Sequence, residues 1–295
     1  MPEPLLVAAP SAWRDACFSL PATRALAAVA EVTLLCEPRQ AAFWRAANCG
    51  EVIAGDDFSK IIPKLPRALL WEDGAAAKAC ARAAIPHRTG LPAAGLAKRL
   101  THPLERTVRP GPPEHRVQRY LETAALLGAE PHDARWFEPL AGEEEPGIAL
   151  IAPDSDFGRH HEWPLARWLE LLESIGPDPA RVRLAGGPLA DQLAAKLGLE
   201  VVALESPVEA RRFGWVIGAD ASLPHVAGAF GTTCAVLYGP GDPDLVRPLG
   251  KRHAVVRRKV ECSPCFADRC LLDGRCQAEL EVETVRRALT DFLRS

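Results

Sequence analysis

The stretch at 211–239, RRFGWVIGADASLPHVAGAFGTTCAVLYG, reads as an apolar strand, a short helix over His225–Phe230 and a second apolar strand, TCAVLYG at 233–239. The strand-like runs are continuous rather than alternating, as in strands covered on both faces, and a helix between two such runs makes a parallel crossover. Where the first run ends stands Asp220, followed by Ala221 and Ser222. Ligands of open parallel sheets bind beyond the carboxyl ends of the strands. A helix start also offers N–H groups and a positive dipole end to an anion. Asp220 is therefore either a plain helix N-cap or an acceptor for sugar hydroxyls.

The same rhythm runs on both sides of this stretch. Before it come IALIA (148–152), a helix over 164–174, RVRLAGG (181–187), a helix over 189–197 and VVAL (201–204). Earlier still stand LLVAA (5–9), a helix over 22–30, VTLLC (32–36), a helix over 40–47, RALLW (67–71), and helices over 75–83 and 114–127. The segment 138–147, EPLAGEEEPG, is acidic with two Pro and two Gly, and reads as a linker. The expected architecture is α/β: an N-terminal Rossmann-like domain over 1–138, a linker over 139–147 and a C-terminal Rossmann-like domain over 148–295 ending in an amphipathic helix. A cleft between the two is the expected ligand site.

Composition excludes several classes of function. The 295 residues are 48% hydrophobic and 25% charged with a net charge of −3, enough apolar content for two cores and no basic surplus for binding nucleic acid. No basic n-region precedes the first apolar run, and no run approaches the ~18 apolar residues of a membrane span. Nine cysteines, an odd number without a secretion signal, fit a reducing compartment, so the expected location is the cytoplasm. The proline-rich segment 86–116 carries Lys98, Arg99, Arg106, Arg109 and Arg116. It reads as a solvated loop, or as a contact for an anionic acceptor or membrane headgroups.

Three further motifs carry chemistry. Asp15 sits in SAWRDACFSLPATRAL (11–26), just after the first strand, as a helix-start acid facing the dipole or as a general base. In IAPDSDFGRHHEWPLARW (151–168), Ser155 and the pair His160–His161 lie in a loop between strand and helix. Gly186 and Gly187 follow the strand RVRLA and permit close backbone approach to a ligand. Cys262, Cys265, Cys270 and Cys276 form C-x2-C-x4-C-x5-C, which reads as free thiols in a reducing compartment or as a structural zinc site of irregular spacing.

Together DFGRHHEWP, RLAGGP, ADASLPHVAGAFGTTCAVLYGPGDP, ECSPCFADRCLLDGRCQAELEVETV and RDACFSLPATRAL resemble glycosyltransferase family 9, within it the heptosyltransferase II type. The resemblance implies a GT-B architecture, two Rossmann-like domains facing across a cleft with acceptor on the first and nucleotide-sugar on the second. It implies inverting, metal-independent transfer of heptose from ADP-heptose to a sugar hydroxyl of the lipopolysaccharide inner core. Asp15 matches the base, and Ser155, His161, Gly186, Gly187, Asp220, Ala221, Ser222 and His225 match the donor site. The chain departs from the family pattern in having Arg14 for Gly before the base, His161 for a lysine, and Ala221–Ser222 for a hydroxyl residue followed by Gly. These departures keep open a family member that binds a nucleotide, glycan or protein without transfer, or one that uses another nucleotide-sugar.

Overall fold

The computed structural model describes residues 2–106, 111–142, 145–251, 253–267 and 269–294. Arg109 of the basic cluster lies outside them. The chain divides into two compact units, Met1–Glu138 and Pro139–Ser295.

The first unit holds strands β1 (Glu3–Ala8), β2 (Ala30–Cys36), β3 (Glu51–Ala54), β4 (Arg67–Leu70), β5 (His87–Gly90) and β6 (His102–Pro103), with helices α1 (Trp13–Ala27), α2 (Ala41–Ala47), α3 (Phe58–Ile61), α4 (Ala75–Arg82) and α5 (Val117–Leu126). The strands pair in parallel in the order β3-β2-β1-β4-β5-β6. Leu5, Leu6 and Val7 on β1 are 1% exposed or less, so side chains of both faces are covered, as the unbroken apolar run requires.

The second unit repeats the plan with β7 (Glu145–Ala152), β8 (Val182–Ala185), β9 (Glu200–Val202), β10 (Phe213–Ala219), β11 (Thr233–Tyr238) and β12 (His253–Arg257). Its helices are α6 (Leu165–Ile175), α7 (Pro188–Leu197), α8 (Ser222–Ala229), α9 (Pro243–Val246), α10 (Arg275–Ala278) and α11 (Val282–Arg294). The order β12-β11-β10-β7-β8-β9 is the first sheet's order read from the other edge, again parallel throughout. Trp163 and Trp168 fill its core edge to face at 5.3 Å, both fully buried, and the Trp163 indole N–H donates to the carbonyl of Leu280 at 3.0 Å. That bond ties the entry of α6 to the approach of the closing helix.

In each sheet the direction of chain progression reverses between two central strands, β1/β4 in the first and β7/β10 in the second. The loops leaving such strands part to opposite faces and open a crevice. Asp15 follows β1, whereas Ser155, His161 and Asp220 follow β7 and β10.

Several boundaries differ from the sequence reading. The first helix begins at Trp13, not at 22, and runs through Pro21. Proline inside a helix loses a hydrogen bond, but Cys17, Phe18, Leu20, Ala22, Ala25 and Leu26 are all buried, and that packing overrides the local penalty. Asp15 thereby falls in the helix's first turn. The helix at 222 starts three residues earlier than expected because Pro224 sits in the first turn, where its missing N–H has no intrahelical partner to lose. Segment 86–116 is not wholly loop: it contributes β5 and β6 and buries Leu96 fully. Two of its cations are neutralised within the unit, Arg99 by Asp73 and Arg106 by Glu122, with Glu114 3.7 Å away.

Gly218 fixes the separation of β10 from β7, since a Cβ there would stand 2.2 Å from the carbonyl oxygen of Ala152. Backbone cannot yield as a side-chain tip does. Gly218→Ala is expected to cost about 2 kcal/mol or more, measured as a lowered thermal unfolding midpoint, with Gly214→Ala as the comparison on the same strand.

Candidate functional site

The loop leaving β7 organises the carboxyl edge of the second sheet through three consecutive side chains. Both oxygens of Asp154 accept from the first turn of α7, from the N–H of Leu189 at 2.8 Å and of Ala190 at 2.9 Å. The Ser155 hydroxyl donates to the carbonyl of Asp220 at 2.6 Å. Asp156 accepts from the N–H of Ser222 at 2.8 Å, at the start of α8. Carboxylates therefore stand where helix dipoles favour negative charge.

Two features of this edge go beyond the sequence reading. Gly187 does give close approach, but to the protein's own acid: a Cβ there would lie 2.5 Å from Cγ of Asp154, while Gly186 has only ordinary contact with Val202. The N-cap of α8 is Ala221, which has no side chain to cap with, and the capping carboxylate comes from Asp156, 66 residues away. Asp220 is not the cap.

Asp220 has a different task. It is fully buried, and its Oδ2 lies 3.2 Å from Nδ1 of His161. Its Oδ1 lies 3.9 Å from Nε2 of His225, too far for a hydrogen bond but close enough for charge to act. Burial alone would push this carboxyl up; the bond from His161 and the charges of both histidines outweigh it and hold the group down to about 2. In this arrangement the carboxylate faces the protein's own histidines, with Oδ2 toward His161 and Oδ1 toward His225. It holds His161 through Nδ1 and stands close to His225.

His161 is 7% exposed, and its carbonyl accepts from Nε2 of Gln277 at 2.7 Å. The His160 ring packs 4.5 Å from it, and Nε2 of His160 lies 2.6 Å from the carbonyl of Ala267. The turn after β11 completes the enclosure. A Cβ on Gly241 would stand 2.5 Å from Oδ2 of Asp220, and one on Gly239 would stand 2.6 Å from Nε2 of Gln277. Neither glycine nor Gln277 was assigned a role from the sequence, although the repeated Gly in YGPGDP is a visible sign of a turn under close approach.

In the first unit Asp15 is half-buried, and the hydroxyl of Tyr120 on α5 donates to its Oδ1 at 2.9 Å. Tyr120 packs on Trp71 with ring centroids 5.0 Å apart. Burial, then the negative charge of Asp15, push the Tyr120 phenol well up. It stays protonated and remains a donor. Nearby, Glu72 accepts from the N–H and hydroxyl of Ser11 at 2.9 and 2.7 Å, beside a hollow of about 160 Å3.

The four clustered cysteines line one small hollow with His160, and Cys276 is buried while the other three are exposed. Burial, then the proximity of the other thiols, push the Cys276 thiol up. Among the described residues no three His, Cys, Asp or Glu side chains are placed to hold a metal ion. The zinc expectation therefore lacks the required tetrahedral donor set. Asp268, within the same segment, lies outside the described residues. No helix among the described residues is long and apolar enough to cross a membrane.

A carboxyl lowered on folding stabilises the fold above its ordinary range near ~3.9 and loses that contribution as pH falls through its folded value. Acid unfolding of the wild type should therefore carry a component between pH 4 and about 2. Asp220→Asn should remove that component and lower stability at pH 7 by on the order of 2 kcal/mol, read from denaturant midpoints across pH.

Comparisons with known proteins agree with this layout. Lipopolysaccharide heptosyltransferase 1 of Salmonella typhimurium is 30% identical over 112 residues, spanning 35% of this chain and 34% of that protein, so the match covers about a third of the relative's length. In fold the chain is similar to the structure of E. coli ADP-heptose lipopolysaccharide heptosyltransferase II, with TM-score 0.75, 19% identity, and coverage of 100% of this chain and 99% of that one. It is also similar to the iron-containing dodecameric glycosyltransferase TibC of enterotoxigenic E. coli H10407, with TM-score 0.62, 13% identity, and coverage of 99% of this chain and 77% of that one. The two parallel six-stranded sheets are those of a GT-B fold. The sequence profile of glycosyltransferase family 9 (heptosyltransferase) matches residues 76–275, about two-thirds of the chain, and the protein belongs to that family.

Proposed function

We propose that the protein is an inverting glycosyltransferase that moves a heptose from ADP-heptose to a sugar hydroxyl of the lipopolysaccharide inner core. On this reading residues 1–138 serve the acceptor, and the unit from Pro139 on holds the donor, its first residues leading into β7 at Glu145 where the sequence reading expected a linker over 139–147. The observation that carries it is the buried pair of Asp220 and His161 at the switch point of the second sheet. Asp220 engages the imidazole at Nδ1, and Nε2 is the nitrogen this reading assigns as donor to the departing diphosphate when protonated. Arg159, exposed two residues before, adds positive charge to the same loop.

Asp15 is the general base. The acceptor O–H bond breaks toward Asp15 while the oxygen attacks the anomeric carbon from the face opposite ADP. The bonding pair of the old C–O bond leaves with the diphosphate, so configuration inverts. No cofactor is part of this scheme. The inner-core acceptor is lipid-anchored, so the reaction belongs at the cytoplasmic face of the inner membrane.

A second reading, nucleotide or glycan binding without transfer or with another donor, is favoured by one observation. Asp154 and Asp156 fill helix-start N–H positions that would otherwise meet phosphate. Calorimetric titration with ADP, UDP, GDP and CDP separates the two readings. Selective ADP binding is expected, about 5-fold tighter in Asp156→Ser, where one negative charge is removed. Selective binding of UDP, GDP or CDP would establish another donor, and absence of binding by any nucleotide to either protein would leave a family member that binds a glycan or a protein without transfer.

Removal of a general base costs about 100- to 10,000-fold in turnover. Asp15→Ala should lose transfer from ADP-heptose by that factor while its affinity for ADP stays within about 2-fold; wild-type turnover in this variant would exclude Asp15 as the base.

A further inference from the structure

The Tyr120–Asp15 contact joins residues 105 positions apart and corresponds to no motif in the chain. The Asp15 carboxyl stands on the first turn of α1, half-buried, on a side chain with two rotatable bonds. Left alone, such a group samples several rotamers. A base has to be held in one arrangement, because small misplacements lower the rate steeply.

Tyr120 supplies the constraint. Its ring is 9% exposed and lies against Trp71 at an interplanar angle of 61°. The helix that carries it packs against α1, with Val117, Leu121 and Ala124 buried alongside. The ring's own rotamer is thus fixed by packing before its hydroxyl meets Asp15. A hydroxyl donating to an ionised carboxylate is also among the stronger neutral-to-charged hydrogen bonds.

We infer that Tyr120 is the positioning residue of the transfer reaction: by holding Oδ1 of Asp15 it presents Oδ2 to the acceptor hydroxyl. This rests on the reading of Asp15 as base. In the reaction the acceptor proton passes to Oδ2, the acceptor oxygen bonds to the anomeric carbon, and ADP leaves with the electron pair. Tyr120 keeps its own proton throughout.

The test uses the full-length protein with Tyr120→Phe, which removes one oxygen and keeps the ring. Transfer from ADP-heptose should show kcat lowered about 10-fold, as expected for loss of a charge-assisted hydrogen bond. The donor KM and the thermal midpoint should stay near wild type. Asp15→Asn and the double variant should be equally slow, because the hydroxyl acts only through the carboxylate. A further loss in the double variant, or a wild-type kcat in Tyr120→Phe beside an inactive Asp15→Asn, would overturn the proposal and leave the base assignment standing. Wild-type turnover in Asp15→Asn would remove both.

A readout free of turnover exists because the chain has only two tyrosines, Tyr120 and Tyr238. With 13C at the hydroxyl-bearing carbon, Tyr120→Phe identifies the Tyr120 resonance by deleting it. Asp15→Asn should shift that resonance, and an unmoved signal would mean that the hydrogen bond is not there.

Discussion

A carboxylate at the end of a buried strand is stable only if something pairs it, and Asp220 is the group around which the carboxyl edge of the second sheet is built. It is fully enclosed, with His161 at 3.2 Å and His225 at 3.9 Å. Removing either partner leaves charge uncompensated in a low-dielectric setting, which costs far more than the pair itself contributes. The surrounding sequence therefore has little freedom. Gly241 has to lack a side chain for the carboxylate to fit, and the hydroxyl of Ser155 has to bind the Asp220 carbonyl to fix where the strand stops.

The two sheets share one strand order, yet their switch points are furnished differently. In the second unit the acids face helix starts and histidines. In the first unit the acid faces a phenol, a neutral donor that orients without cancelling charge. A general base needs to remain negative, and a phenol that orients without a charge suits the role proposed for Asp15.

The α/β class and the two-unit plan were legible because continuous apolar runs separated by helical stretches admit few other folds. The positions of Asp15, His161 and His225 were legible too, as acids and histidines at strand–helix junctions. The partners were not. Asp220 looked like a cap because caps are local and common, while the residue that caps α8 comes from a loop 66 residues earlier. Tyr120 is one apolar-face residue among several on α5, and only tertiary packing brings it to Asp15. The glycine pair at 186–187 carried a true signal of close approach, but sequence gives no means of telling an incoming ligand from the protein's own Asp154. The short strands β3, β5, β6 and β12 were missed: β3, β6 and β12 lie at sheet edges, β5 lies one strand in, and all four are brief and partly polar.

The loop after β7 has a consequence for how this protein can change. Asp154, Ser155 and Asp156 are consecutive, and each is fastened to a different element: α7, the end of β10 and the start of α8. One inserted or deleted residue would shift all three side chains by a position and release all three attachments together. Surface loops ordinarily absorb length variation with ease, but this one has a fixed length. Divergence here has to proceed by exchange of side chains alone, so homologues with a different donor preference should differ at these positions in identity and not in spacing.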